Sequence, residues 1–309
     1  MSKIVIALGG NALMENGDSR DYGTQVKRAR RAFEALSTII VREDVVITHG
    51  NGPQVGDLIV RNQPVEGFPP AMPMHTLGAM SQGLIGEILI EAYEQVRVKN
   101  GIGKEASNIL TRTLVDENDP AFQNPTKPVG RVYSEEEYQS IKNMENWHFM
   151  KTEKGWRRCV ASPMPKDILE KNAIMSSLTS GFLPICTGGG GIPVCRDGNV
   201  YRGVDAVIDK DLASYILAHM IEAEELIILT DVENAYINFG NENQIPLHEI
   251  NLGEIEKYYD EGQFSKGSMG PKILAAISFI KHGGKTARIG SLSMASGLLE
   301  GKTGTIIHS

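Results

Sequence analysis

Nowhere does this chain string together the roughly 18 apolar residues that a membrane-spanning helix needs; its apolar runs are far shorter. Cysteine is scarce. Cys159, Cys186 and Cys195 are odd in number and lack metal-ligand spacing, so they read as buried or incidental free thiols in a reducing cytoplasm, not as a disulfide framework. There is no basic excess. The formal net charge is −7, which argues against a nucleic-acid partner. Two nucleotide fingerprints are missing as well. Gly284-Lys285-Thr286 and Gly301-Lys302-Thr303 look like the end of a P-loop, but Phe279 and Ser296 stand where its first glycine belongs. No Gly-x-Gly-x-x-Gly follows a strand-like run, so a dinucleotide-binding fold is poorly supported. No Ser-His-Asp or Cys-His set is evident either.

What the chain has is glycine at strand ends. Leu8-Gly9-Gly10-Asn11-Ala12 follows the first apolar run, and Thr48-His49-Gly50-Asn51-Gly52-Pro53 follows the second. Thr187-Gly188-Gly189-Gly190-Gly191-Ile192-Pro193 follows a third. Glycine lets backbone approach a ligand closely and aim several N–H groups at it. One such loop is an ordinary tight turn; three at the ends of neighbouring strands would make an anion cradle. Asn11 and Asn51 add amides that can hold the carboxylate end of a small acid. His49 has a structural and a functional reading of equal weight.

The rest of the pattern predicts an α/β protein. Residues 4–8, 45–48, 108–114, 183–187 and 226–229 read as strands, the first a core strand rather than a leader peptide. Val26, Ala29, Phe33, Leu36 and Ile40 recur at helical spacing within 22–42, and Met80, Leu84, Ile88, Ala92 and Val96 mark a second long helix that Asn100-Gly101 would stop. Helices are also expected at 168–179, 209–220, 255–259 and 267–280, with a hairpin at 194–201 turning on Asp197-Gly198. Strands alternating with helices imply a layered, mainly parallel sheet. The alternation breaks between about 116 and 166. That stretch holds prolines, Glu135-Glu136-Glu137 and both tryptophans, so it reads as a small inserted subdomain or lid.

Several charged residues stand at telling positions. Asp209 precedes a helix and reads equally as an N-cap or a functional carboxylate. Lys210 opposes the macrodipole in the first turn, which a ligand would explain. Thr230-Asp231-Val232 follows a buried-type strand, where α/β folds bind ligands. Gly267-Ser268-Met269-Gly270-Pro271-Lys272 begins a helix whose free N–H groups and lysine suit phosphate. Lys127 sits between Pro125 and Pro128, which hold it more firmly than an ordinary surface lysine.

These motifs, in order along essentially the whole chain, resemble the carbamate kinases of the amino-acid kinase superfamily. The matching segments also include Gly78-Ala79-Met80-Ser81-Gln82-Gly83, Asn118-Asp119-Pro120-Ala121-Phe122, Gly155-Trp156-Arg157-Arg158 and Val207 through Ala213. The cousin kinases usually carry a lysine two residues before the first Gly-Gly; here that position is Ala7. The resemblance implies one amino-acid kinase domain over 1–309, a three-layer αβα sandwich with a mainly parallel central sheet and a small protruding lid subdomain. Its N-terminal lobe, about 1–192, would bind carbamate and carry the lid at about 116–166. Its C-terminal lobe, about 193–309, would bind nucleotide. Lys127, Lys210, Asp209 and Lys272 are the implied catalytic residues. Gly9, Gly10, Asn11, Gly50, Asn51, Gly52, Gly189 and Gly190 would hold substrate. Lys210, Thr230, Asp231, Val232, Met269, Gly270 and Lys272 would hold ATP or ADP, with Mg²⁺ bound through the phosphates rather than by protein ligands. The implied reaction passes a phosphoryl group between ATP and carbamate, giving ADP and carbamoyl phosphate. A homodimer that binds neither nucleic acid nor membrane is expected. A sister kinase for another small carboxylate is the first alternative, against which Ala7 argues. A non-catalytic sensor on the same fold is the second, against which the retained charged residues argue.

Overall fold

The computed structural model describes all residues except 16, 63–68, 144–146 and 266; the side chain of Asn11 also lies outside the described residues. In chain order the first strands are β1 (Lys3–Leu8), β2 (Asp44–His49), β3 (Ala106–Ile109), β4 (Arg112–Leu114) and β5 (Lys127–Tyr133). Then come β6 (His148–Thr152), β7 (Gly155–Val160), β8 (Asp167–Ile168), β9 (Leu183–Cys186), β10 (Ile192–Asp197) and β11 (Val200–Gly203). The last are β12 (Glu225–Thr230), β13 (Ala235–Ile237), β14 (Ile245–Leu247), β15 (Glu249–Asn251), β16 (Thr286–Ser291) and β17 (Thr305–His308). The helices are α1 (Tyr22–Arg42), α2 (Gly52–Arg61), α3 (Met74–Asn100), α4 (Glu135–Ile141) and α5 (Lys171–Thr179). They continue with α6 (Lys210–Met220), α7 (Leu252–Asp260), α8 (Met269–Lys281) and α9 (Ala295–Leu299).

The central sheet has eight strands in the order β15-β17-β16-β12-β1-β2-β9-β3. All run parallel from β16 to β3, while β17 pairs antiparallel to β16 and carries β15 with it. Alternation along β1 builds the three layers. Ile4, Ile6 and Leu8 enter the core packed by Phe33 and Leu36 of α1 and by Ile85, Leu89 and Tyr93 of α3. Val5 and Ala7 enter the opposite core with Leu217 of α6 and Ile273 and Ile277 of α8. The α/β sandwich with a mainly parallel sheet is therefore as the sequence predicted. Long helices end as read: Gly101 caps α3 with φ +63°, the left-handed conformation that glycine tolerates.

Two local readings change. The strand expected at 108–114 is two strands in different sheets, β3 in the large one and β4 in a four-stranded sheet ordered β11-β10-β4-β8. Gln82 of α3 is the cause: its side chain donates to the Thr111 carbonyl and accepts from the Thr111 N–H, so that residue leaves the ladder. The helix expected from 168 starts only at Lys171, because Ile168 pairs with Thr113 of β4.

Between residues 127 and 160 a three-stranded antiparallel sheet, β5-β7-β6, stands apart with α4. Its aromatics hold it together. Trp156 stacks on Tyr138 with centroids 3.8 Å apart and donates to Glu135, and Phe149 meets Tyr133, Tyr138 and Trp147. This subdomain is seated on α2 and α3 by a small core of Val129 and Val160 against Val55, Ile59, Met74 and Leu77. At the seat, backbone meets backbone: a Cβ built on Gly56 would lie 3.6 Å from the Gly130 Cα.

Candidate active site

Neighbouring strands β1, β2 and β9 all run in one direction, so their three glycine loops emerge at one end of the sheet, where ligands of open α/β folds bind. Each loop leaves its strand differently. Gly9 starts a short 3₁₀ turn, Gly10–Ala12, and backs onto β12, where an added Cβ would stand 2.6 Å from the Leu229 carbonyl oxygen. Asn51 precedes α2, and its side-chain amide donates to Ser81 of α3. The tetrad turns through left-handed backbone, with φ +62° at Gly189, +88° at Gly190 and +90° at Gly191. Cβ atoms at Gly189 and Gly190 would lie 2.1 Å from the Asn51 amide and 2.4 Å from the Ile208 carbonyl oxygen. Only glycine fits this crossing of loops.

A cleft of about 340 Å³ opens between the loops and the protruding subdomain. Gly10, Gly50, Asn51, Gly52 and Gly189 form one wall, and Lys127 through Gly130 with Arg157 form the other. Asp209, Lys210, Asp211 and Lys272 lie along it. Gly9 and Gly190 stand behind the wall. The Asn11 side chain lies outside the described residues.

The charges of this cleft form a connected set. Asp209 caps α6 by accepting from the N–H groups of Asp211 and Leu212, and its other oxygen accepts from Lys127 Nζ at 3.0 Å. The N-cap reading of Asp209 holds, and the same carboxylate also pairs with the lysine of the protruding subdomain. Asp211 is almost fully buried and takes Lys210 on one oxygen and Lys272, at 3.0 Å, on the other. Burial works to raise the Asp211 carboxyl, but the two lysine charges outweigh it and leave its pKa below the usual range. Burial also pushes the Lys210 pKa down, and the Lys272 charge adds to that. A lysine pressed toward neutrality in this way favours an arriving anion, which restores its charge. In the sequence Asp211 is only the third charged residue of Asp209-Lys210-Asp211, with nothing local to set it apart. The lysine on either side in space is what distinguishes it.

A second cleft of about 520 Å³ adjoins the first and shares Ser268 and Lys272 with it. Thr230, Asp231, Val232 and Met269 line it, together with Tyr236, Phe239 and Phe264, which no sequence motif signalled. It is apolar, a fit for an aromatic base. Gly270 lines neither cleft; its N–H donates to Ser265, as does that of Ser268, so the first turn of α8 is largely satisfied from within. Lys272, not the free N–H groups, is what α8 offers an anion.

His49 is buried, and its Nδ1 bonds the Gly50 carbonyl. Gly188 leaves room for its ring. Burial lowers its pKa from 6.5 to about 4. The imidazole is therefore neutral when folded and charges on unfolding at mildly acid pH, so stability falls as pH drops from about 6.5 toward 4. That amounts to about 3 kcal/mol across the window. Urea unfolding of wild type and His49→Asn at pH 7 and pH 4.5 reads this out; equal pH slopes would refute it.

A cleft lined by three lysines opens into one lined by aromatic side chains at the strand ends of a three-layer α/β fold, an arrangement suited to a phosphorylated small molecule. The amino acid kinase family profile matches residues 2–291. The chain is similar to the carbamate kinase of Thermoplasma acidophilum, 53% identical over 99% of both chains, and to that of Thermoplasma volcanium, 50% identical over 99% of both. Among solved structures it is similar to the carbamate kinase from Giardia lamblia bound to AMP-PNP, with 44% identity and a TM-score of 0.93 over 99% of this chain and 98% of that one. The chain belongs to the amino acid kinase family, and within it to the carbamate kinases.

Proposed function

We infer that the protein catalyses reversible phosphoryl transfer between ATP and carbamate, forming ADP and carbamoyl phosphate. One observation carries the site assignment: Lys127 on Asp209, and Lys210 and Lys272 on Asp211, line a single cleft against the glycine loops. Carbamate and the moving phosphoryl group belong in the smaller cleft. The nucleotide base belongs in the larger one, beside Tyr236, Phe239 and Phe264. Lys272 at their junction faces the phosphates between them.

The attacking atom is a carboxylate oxygen already ionised at neutral pH, so no general base is required. It adds to the γ-phosphorus as the bond to the ADP oxygen breaks. The protein has to hold these atoms in line and neutralise charge on the phosphoryl oxygens. Lys210 and Lys272 do so from the floor and Lys127 from the protruding subdomain, while Asp209 and Asp211 keep the ammonium groups aimed. With Ala7 buried in the core, the cleft end of β1 brings no charge to the site. Mg²⁺ arriving on the nucleotide phosphates would supply further charge neutralisation. Carbamoyl phosphate is an acyl phosphate, so ATP synthesis is the downhill direction.

The division into a carbamate-binding lobe, an inserted lid and a nucleotide-binding lobe follows from the same assignment. No helix among the described residues is long and apolar enough to cross a membrane, and three buried free thiols suit a reducing cytoplasm. A homodimer agrees with the exposed Leu110 and Phe182 beside edge strand β3.

The decisive assay mixes the protein with Mg-ADP and carbamoyl phosphate and measures ATP. No ATP would remove the reading, and ATP from another acyl phosphate instead would make it a sister kinase. Lys127→Ala should slow turnover by about one to two orders of magnitude, the worth of one desolvated charge contact. Near-normal turnover would take the lid lysine out of the mechanism.

A further inference from the structure

We propose that Arg157 is a second substrate-binding cation of the protruding subdomain, holding the carboxyl-type oxygens of carbamate and the carbonyl and phosphoryl oxygens of carbamoyl phosphate. Arg157 lies on β7, the central strand of the small sheet, and lines the anion cleft opposite the glycine wall. Adjacent strand residues point to opposite faces, and the two arginines here have different surroundings. Arg158 stacks over the Trp147 ring at 4.1 Å, inside the aromatic packing of the subdomain. Arg157 has no carboxylate within ion-pair distance among the described residues. Among the described residues its one side-chain hydrogen bond is from a terminal nitrogen to the Gly130 carbonyl, at 3.0 Å.

That single bond fixes the guanidinium without using its charge. The strand pairing is irregular between Val129 and Val132, and Gly130 has φ +69° there. The bulge presents the Gly130 carbonyl to Arg157, as bulges beside sites often re-aim a group. The Arg157 Nε, like that of Arg158, is buried and has no hydrogen-bond partner among the described residues, but of the two only Arg157 lines the cleft. A buried guanidinium N–H without an acceptor is costly, and a planar fork held at the edge of an anion cleft matches a planar carboxyl group.

The same geometry selects the substrate end of the cleft. Gly130 rests on Gly56 of α2, and α2 begins at Gly52 in the second glycine loop. Arg157 thus belongs to the wall beside that loop. It does not line the aromatic cleft where the nucleotide base fits.

The inference rests on the assignment of carbamate to the smaller cleft, and the test keeps the two apart. Steady-state ATP synthesis is measured for Arg157→Met, Arg157→Lys and Lys127→Ala in the full chain, with Tm for each. Arg157→Met should raise KM for carbamoyl phosphate by about ten- to a hundredfold, with KM for Mg-ADP changed less than about twofold. Arg157→Lys should recover part of that loss, since it keeps the charge and loses the fork. Arg157→Ala, measured alongside, should show the same rise as Arg157→Met, and added guanidinium should lower its KM for carbamoyl phosphate. An unchanged KM for carbamoyl phosphate in Arg157→Met, with Lys127→Ala impaired, would overturn the role of Arg157 alone. Equal rises in both KM values with a lowered Tm in Arg157→Lys would also overturn it, leaving Arg157 as a brace for Gly130. An unimpaired Lys127→Ala together with an unchanged KM for carbamoyl phosphate in Arg157→Met would instead remove the assignment of carbamate to this cleft.

Discussion

Asp211→Asn should lose about a hundredfold or more in turnover and about 3–5 kcal/mol in stability, although the change removes one charge and almost no volume. Asp211 has a side-chain exposure of 3% and is shared by two lysines whose own exposures are 14%. Deleting its charge leaves Lys210 and Lys272 as unbalanced neighbours in a poorly solvated site, and breaking a buried ion set by removing one partner is the costly way to disturb it. The lysines would then relax toward water or lose protons, and neither state serves a phosphoryl group in flight. The defect has a signature. Nucleotide phosphates replace the missing negative charge, so Mg-ADP should raise the Tm of Asp211→Asn by more than it raises that of wild type. An equal ligand shift with a Tm within about 2 °C of wild type would refute the bridging role.

Gly190→Ala should be nearly as damaging, by a route that involves no charge. The new Cβ would meet the Ile208 carbonyl oxygen at 2.4 Å and its carbon at 2.8 Å, both backbone atoms, at φ +88°. A strained conformation added to a backbone clash should cost about 3 kcal/mol or more. Because Ile208 immediately precedes Asp209 and Lys210, the segment that must yield is the one that aims the lysines. Turnover should therefore fall along with Tm. Gly78→Ala in α3 is the control: nothing lies within 4 Å of its Cβ position, so the helix should be stabilised by about 0.5–1 kcal/mol. A Gly190→Ala protein as stable and active as Gly78→Ala would sink the argument.

These two residues also mark how far the sequence could be read. Periodicity exposed the sheet, its long helices and the loop-bearing strand ends, because burial on one face leaves a repeating trace. The tetrad was visible because glycine alone tolerates φ near +90°. Asp211 was not, since its importance arises from Lys272, 61 positions away, meeting it in space. Tyr236 and Phe239 line the larger cleft from the end of β13, but Phe264 joins them from a separate loop after α7, so no local spacing links all three. The division of 108–114 into two strands depends on a glutamine 29 positions earlier. Long-range side-chain pairing leaves no period in a sequence.

Within the seat of the small sheet on α2, beside the core of Val55, Ile59 and Val129, Gly56 and Gly130 meet backbone to backbone. That close approach helps set the height at which Lys127 and Arg157 hang over the floor of the cleft. An alanine at 56 would still fit at 3.6 Å, but any larger residue would act as a shim. It would lift both cations from the carboxylate and loops below without touching a charged atom. The reach of the upper jaw thus depends in part on two missing side chains, and position 56 is one place where it can be adjusted.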